Sequence, residues 1–143
     1  MSARFLIDKS ALARMAHPEV AERIQPIIEA GEAATCAIVD IEVLYSARTH
    51  ADLVATRRRR RLAYHQIELT GDIFERALDV QQELAGIGHH RLPIPDLIVA
   101  AAAESIDVSV LHYDADFDQI AELTGQPTEW VVPRGSVDSF GDP

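Results

Sequence analysis

Short apolar runs alternate with amphipathic stretches along the whole chain. The runs Phe5-Leu6-Ile7, Thr35-Cys36-Ala37-Ile38-Val39, His65-Gln66-Ile67-Glu68-Leu69, Val108-Ser109-Val110-Leu111 and Glu129-Trp130-Val131-Val132 read as five strands, the third at an edge. Between them the apolar period lengthens to that of a helix. Residues 9–15 form one with Ser10 as its cap. Pro18 starts a second, which runs to Gly31 with Val20, Ile24, Ile27 and Ile28 on one face. Asp40 can cap a third, in which Ile41, Leu44 and Tyr45 make the apolar stripe. Residues 51–62 continue as helix. Thr70-Gly71-Asp72 opens the next, with Ile73, Phe74, Ala77, Leu78, Val80, Leu84 and Ile87 as its apolar positions and Gly86 or Gly88 at its end. Residues 95–104 are almost wholly apolar, with Asp96 at the N-cap. A last helix carries Phe117, Ile120, Ala121 and Leu123 and stops at Gly125. This strand–helix alternation predicts an α/β domain over residues 1–135, built on a parallel sheet with helices on both faces, and a polar tail at 136–143.

The chain has 143 residues, one domain's worth, and 48% of them are hydrophobic, ordinary globular usage. No apolar stretch approaches the ~20 residues of a membrane span. The first residues lack a signal peptide's basic region and apolar core, so a cytoplasmic location is expected. Cys36 is the single cysteine, which excludes an internal disulfide and a thiolate metal cage, and its apolar surroundings make it a small core residue.

Charge changes the picture. The net charge is −10, from 23 acids against 13 bases, which argues against a binder with a broad basic footprint. A nuclease is still compatible, because acids can be cancelled by metal and bases can be clustered. Five of the bases are consecutive, Arg57 to Arg61. Five consecutive arginines cannot share one helical face, and only Arg57 and Arg61, four apart, stack directly; the run reads either as a solvated helix end or as a phosphate-contacting patch.

The chemistry gathers after the fourth strand, in Leu111-His112-Tyr113-Asp114-Ala115-Asp116-Phe117-Asp118. In an open α/β sheet, ligands bind just past the carboxyl ends of strands. Acids crowded at such an exit repel one another unless a cation sits among them. Asp8 follows the first strand, Glu42 follows the second, and Asp96 begins the apolar helix, so the same sheet edge receives carboxylates from four segments. Each has a plain structural explanation: Asp8 as a turn residue, Glu42 in the first helical turn favoured by the helix dipole, Asp96 as a cap. Their shared edge is the informative part. An all-oxygen donor set selects Mg²⁺ or Mn²⁺ over zinc or copper. The pair His89-His90 has no Cys or spaced His partner after it and reads as loop.

On four motifs the chain resembles the PIN-domain ribonucleases, the VapC toxins of bacterial toxin–antitoxin pairs among them. The motifs are Phe5-Leu6-Ile7-Asp8-Lys9-Ser10-Ala11-Leu12, Ile41-Glu42-Val43-Leu44, Pro95-Asp96-Leu97-Ile98-Val99-Ala100-Ala101 and Leu111-His112-Tyr113-Asp114-Ala115-Asp116-Phe117. The resemblance covers essentially the whole chain. It implies a PIN-like three-layer α/β/α fold with a central parallel sheet of about five strands. It also implies a Mg²⁺-dependent endoribonuclease, with Mn²⁺ able to substitute, that hydrolyses phosphodiesters with metal-activated water and leaves a 5′-phosphate. Asp8, Glu42, Asp96 and Asp114 fall on the family's four acidic positions and Asp116 on a variable fifth. Asp8, Asp96 and Asp114 are then the principal metal ligands. Ser10 matches a small hydroxyl residue beside the first acid, and His112 stands where many members carry Thr, so both are expected to support the ligands. Arg57, Arg61 and Arg91 are the candidate RNA contacts. A toxin of this kind implies a homodimer and a cognate antitoxin that inserts a basic side chain into the acidic pocket.

Two rival folds fail on single residues. Haloacid-dehalogenase-type phosphatases need a second Asp where Ser10 stands, and both they and receiver domains need a late lysine, whereas Lys9 is the only lysine. The alternative from another class is a catalytically inactive PIN fold that binds RNA or protein, against which stands the presence of all five acids.

Overall fold

The computed structural model describes residues 2–137. Its strands are β1 (Phe5–Ile7), β2 (Ala33–Cys36), β3 (His65–Ile67), β4 (Ser109–His112) and β5 (Thr128–Trp130). They form one sheet in the order β3-β2-β1-β4-β5, and every pairing is parallel. The helices are α1 (Lys9–Leu12), α2 (Pro18–Glu29), α3 (Ala37–Leu44), α4 (His50–Ala63), α5 (Gly71–Ala85), α6 (Ile94–Ser105) and α7 (Asp116–Thr124).

Period-two alternation in the strands divides the core into two layers. Leu6, Ala34, Cys36 and Val110 face α5, α6 and α7, where they meet Ile73, Val80, Leu84, Val99, Phe117 and Ile120. Phe5, Ile7, Ala33 and Leu111 face the other way, onto Ala11, Val20, Ile24 and Ile27 of α1 and α2. The expected three-layer α/β/α architecture is therefore present, with β3 at an edge. Pro18 opens α2, and Gly125 closes α7 in the left-handed conformation at φ 75°.

This topology places the site. β1 pairs with β2 on one side and β4 on the other, so the direction of winding reverses between β1 and β4. At that switch point the connections leave in opposite directions and open a crevice past the strands' carboxyl ends. The backbone N–H of Asp8 still donates to the Leu111 carbonyl, 2.9 Å away, at the lip of the crevice. Helix α6 runs back down the sheet toward the start of β4, which brings its N-terminus, and Asp96, to the same edge.

Several element ends differ from the expectation, mostly because a side chain took another job. Ser10 does not cap α1: Asp8 does, accepting from the Ser10 backbone N–H at 3.0 Å. Strand β2 stops at Cys36 and α3 begins at Ala37, so Asp40 lies inside the first turn of α3 and Glu42 falls in the second. Pro93 holds the cap position of α6, and Asp96 is the third residue of the helix. Ile41 and Tyr45 of the α3 stripe are turned outward, 64% and 88% exposed, as are Phe74, Leu78 and Ile87 on α5 and just beyond it. Residues 138–143 of the polar tail lie outside the described residues. No helix among the described residues is long and apolar enough to cross a membrane.

Candidate active site

The crevice collects all five predicted acids. Asp8 leaves β1 and is almost completely buried. Its Oδ2 receives two bonds from Ser10, from the backbone N–H at 3.0 Å and from the hydroxyl at 2.6 Å. The same hydroxyl accepts the Tyr113 N–H at 2.9 Å, so Ser10 ties the exit of β1 to the exit of β4. Asp114 follows β4, and its Oδ1 accepts the Asp116 N–H at 2.9 Å, which turns the chain into α7.

Asp96, Asp114 and Asp116 offer carboxylate oxygens that all lie within 4.8 Å of one another, the one such group of potential ligands found among the described residues. The family resemblance implies Asp8, Asp96 and Asp114 as principal ligands and puts Asp116 on a variable fifth position. In the folded chain Asp116 stands in the tight trio, and Asp8 and Glu42 line it electrostatically. His89 and His90 are exposed and belong to no such group.

The electrostatics are those of a site short of positive charge. Asp96 is 8% exposed and its Oδ2 is buried without a hydrogen-bond partner among the described residues. Burial pushes its pKa up to about 8, and the charges of Asp8, Asp114, Asp116 and Glu42 add to the rise. Burial also raises Asp8, against the opposing hydrogen bonds from Ser10. Glu42 is raised by burial and then by the Asp8 charge, and Asp116 by burial and then by Asp114. An orphaned, buried carboxylate oxygen among further carboxylates fits a hard divalent cation, which oxygen donors hold and which removes the repulsion.

His112 supports this arrangement from beneath. It is fully buried, and its Nδ1 accepts the Asp114 N–H at 3.1 Å. Burial lowers its pKa to about 4, so the ring is neutral at ordinary pH and acts as an acceptor rather than a charge. Phe117 and Trp130 pack on it at centroid distances of 5.0 and 5.1 Å.

The basic candidates are elsewhere. Arg57 and Arg61 are exposed on α4, and Arg91 is exposed in the loop before α6. Arg60, from the middle of the same run, is buried. Its Nε donates to Asp40 at 2.9 Å, its Nη2 to the Thr35 hydroxyl at 3.1 Å, and its guanidinium covers the Tyr64 ring at 4.3 Å. Sequence reasoning missed this pair. A signal existed: five consecutive residues sweep more than one full helical turn, so a packed helix must turn at least one of them inward.

Known proteins resemble this chain in sequence and in fold. The family model described as PIN domain matches residues 5–123. Ribonuclease VapC51 of Mycobacterium tuberculosis (strain ATCC 25618 / H37Rv) is 42% identical over 142 residues, covering 96% of this chain and 100% of that one. Ribonuclease VapC21 of M. tuberculosis (strain CDC 1551 / Oshkosh) is 42% identical over 137 residues, covering 95% and 99%. Among solved structures, DNA-bound VapBC from Salmonella typhimurium superposes with a TM-score of 0.73 at 17% identity, covering 91% of this chain and 99% of that one. VapBC-1 from nontypeable Haemophilus influenzae gives 0.72 at 13% identity, covering 92% and 98%.

Proposed function

The chain belongs to the PIN-domain family, and from that premise we propose that it is a VapC-type endoribonuclease, the toxin of a toxin–antitoxin pair. The observation that carries the reading is the Asp96 Oδ2, buried and unpartnered among four further carboxylates at the switch point of the sheet. A purely structural cluster of this kind would cost stability with nothing in return. The 42% identity to Ribonuclease VapC51 over nearly the whole chain supports the choice of substrate class.

Asp96, Asp114 and Asp116 would hold a Mg²⁺ or Mn²⁺ ion, with Asp8 and Glu42 completing the shell directly or through water. A bound divalent ion supplies positive charge where water attacks the phosphodiester and where the leaving oxygen develops charge. The chain's own residues do the rest. Ser10 occupies Asp8 Oδ2 with both its bonds, which leaves Oδ1 as the oxygen for a ligand. Glu42, less buried than Asp8 and raised in pKa, can take a proton at its carboxylate from the attacking water. His112 holds the Asp114 backbone and takes no proton, because its Nδ1 is already engaged and its ring is sealed from solvent. The same excess of negative charge suits a partner that brings a cation. The antitoxin would present an Arg or Lys to the carboxylates in place of the metal, and a homodimer is the expected assembly.

The test is direct. The purified protein should cut single-stranded RNA in Mg²⁺ or Mn²⁺ and leave 5′-phosphate ends. Chelator should stop it, and so should Asp96→Asn in a variant that remains folded. A folded parent that binds Mn²⁺ and cuts no RNA would instead support the inactive binding module.

A further inference from the structure

A strip of alternating cations and aromatic rings borders the carboxylate pocket on the β4–β5 side. Tyr113 sits between His112 and Asp114, with its backbone N–H held by Ser10. The Arg14 guanidinium lies over the Tyr113 ring at 4.4 Å and donates from Nη1 to the Ser10 carbonyl at 2.7 Å. The Trp130 ring meets Tyr113 edge-on at 5.2 Å and 84°, and the Arg134 guanidinium stands 5.6 Å from the Trp130 ring. The order along the surface is therefore Arg14, Tyr113, Trp130, Arg134. The sequence pattern singles out none of these four.

The strip is built rather than accidental. The Tyr113 hydroxyl donates to the Val137 carbonyl at 3.0 Å and accepts the Gly135 N–H at 2.8 Å, which pins the turn that carries Arg134. Gly135 adopts φ 79° there, a conformation that glycine takes without strain. Trp130 Nε1 points to both Asp118 oxygens at 3.2 Å, which fixes the plane of the indole. Tyr113, Trp130 and Arg14 are half-buried and Arg134 is exposed, so the strip has a supported base and an open rim.

We infer that this strip is the track on which single-stranded RNA reaches the carboxylates. Unpaired bases stack on aromatic rings and guanidinium planes, and the phosphates between them are met by arginine. A duplex keeps its bases stacked internally and has no free face to offer. The arginine run on α4 lacks this chemistry. Of its exposed members, Arg57, Arg58 and Arg61 share their surface with Leu53 and Val54, while the ring beside Arg60 is the buried Tyr64. That face can supply charge, whereas the Tyr113–Trp130 strip supplies charge and stacking one residue from Asp114. The inference rests on the ribonuclease reading and adds the side from which unpaired RNA enters and the four side chains that receive it.

Trp130 is the only tryptophan, so intrinsic fluorescence reports on this one place. The full-length protein is titrated in chelator at low salt with a fluorescein-labelled, single-stranded RNA of mixed sequence, following anisotropy and indole emission together. Emission should fall and saturate with the anisotropy, and an equivalent duplex should leave it nearly unchanged. Arg134→Ala, at an exposed position, and Trp130→Leu should each weaken binding about tenfold, with Trp130→Phe restoring most of it. Bound RNA with unaltered emission, an equal response to duplex, or no binding at low salt would overturn the track. Cleavage assays keep the two ideas apart. A cutting parent whose folded Arg134→Ala and Trp130→Leu variants keep the parental KM removes the track alone, whereas a parent that cuts nothing removes the reading beneath it.

Discussion

Two carboxylates of this protein, both drawn out of full solvent contact, meet opposite fates. Asp40, half-buried on α3, is answered by Arg60 at 2.9 Å, with the Thr35 hydroxyl sharing both partners. Asp96, buried at the start of α6, has an oxygen with no partner among the described residues, and its neighbours are more acids. The first is a finished structural joint that ties α3 and α4 to β2. The second is a deficit that the chain leaves open, and α3 connects the two, because Asp40 and Glu42 stand two residues apart on it. Burial alone therefore does not separate structure from function. What separates them is whether the fold supplies the counter-charge or leaves it to a ligand.

The sharpest way to break the contrast is to remove the unanswered charge. Asp96→Asn or Asp114→Asn should cost on the order of 10³-fold in kcat, about 4 kcal/mol, while the fold survives. Asp118→Asn, whose carboxylate faces Trp130, should cost far less. Single-turnover cleavage with circular dichroism as the folding control checks this. Parental rates in both pocket variants would move the site elsewhere.

Next in size is the answered charge. Arg60→Ala strands Asp40 and Thr35 and should destabilise by about 3 kcal/mol. Replacing the pair together, Arg60→Met with Asp40→Leu, should recover most of that loss. Thermal melts of the two single variants and the double give the coupling energy, and a near-zero coupling would demote the pair to bystanders.

Metal should reverse the deficit without touching the joint. Mn²⁺ at a hundredfold excess over its Kd should stabilise the parent by about 2.7 kcal/mol. Asp114→Asn should lose most of this gain, yet in chelator at neutral pH it should melt above the parent, because one of several crowded negative charges is gone. A metal-free variant that melts clearly below the parent would make Asp114 a structural cap.

The pH dependence is smaller per unit and has a definite sign. Asp96 titrates near 4 when unfolded and about 8 when folded, so it favours the folded state fully only below about 4. That advantage shrinks as pH rises and is gone above about 8, at no more than about 1.4 kcal/mol per pH unit. Metal-free melts should fall across this window, and Asp96→Asn should flatten the fall. His112 contributes in the other direction: its folded pKa of about 4 lies below the usual 6.5, so its stabilisation is present above about 6.5 and is lost as pH drops toward 4.

The smallest effect concerns the exposed remainder of the arginine run. Replacing Arg57 and Arg61 with Ala should reduce the slope of RNA affinity against salt by up to ~0.7 for each phosphate left without its arginine, and the cleavage positions should not move. An unchanged slope would assign these side chains to solvent.

Much of this was legible in the chain before it folded. The largely apolar runs Phe5–Ile7, Ala33–Cys36 and Ser109–His112 mark the three inner strands because burial on both faces favours hydrophobic segments, whereas the edge strands β3 and β5 are partly exposed and carry polar residues. The acids at Asp8, Glu42, Asp96 and Asp114 could be assigned to one edge because parallel strands put all their carboxyl ends together. Local signals of low energy were less faithful. Ser10, Asp40 and Asp96 each looked like a helix cap, worth about 1 kcal/mol, and each was claimed by something else. Ser10 went to Asp8 and Tyr113, Asp40 went to Arg60, and Asp96 went to the crevice.

The sequence by itself determined the α/β architecture and the identity of the five acids, because both follow from periodicity and from the order of elements along the chain. Only the tertiary structure decided which arginine is buried, which three carboxylates come within 4.8 Å of one another, and that Arg14 and Arg134 meet the rings of Tyr113 and Trp130. Most of those distances join segments far apart in sequence, and they are set by how the sheet's switch point brings β1, β4 and β5 side by side and by how α4 packs against α3, which no local pattern encodes.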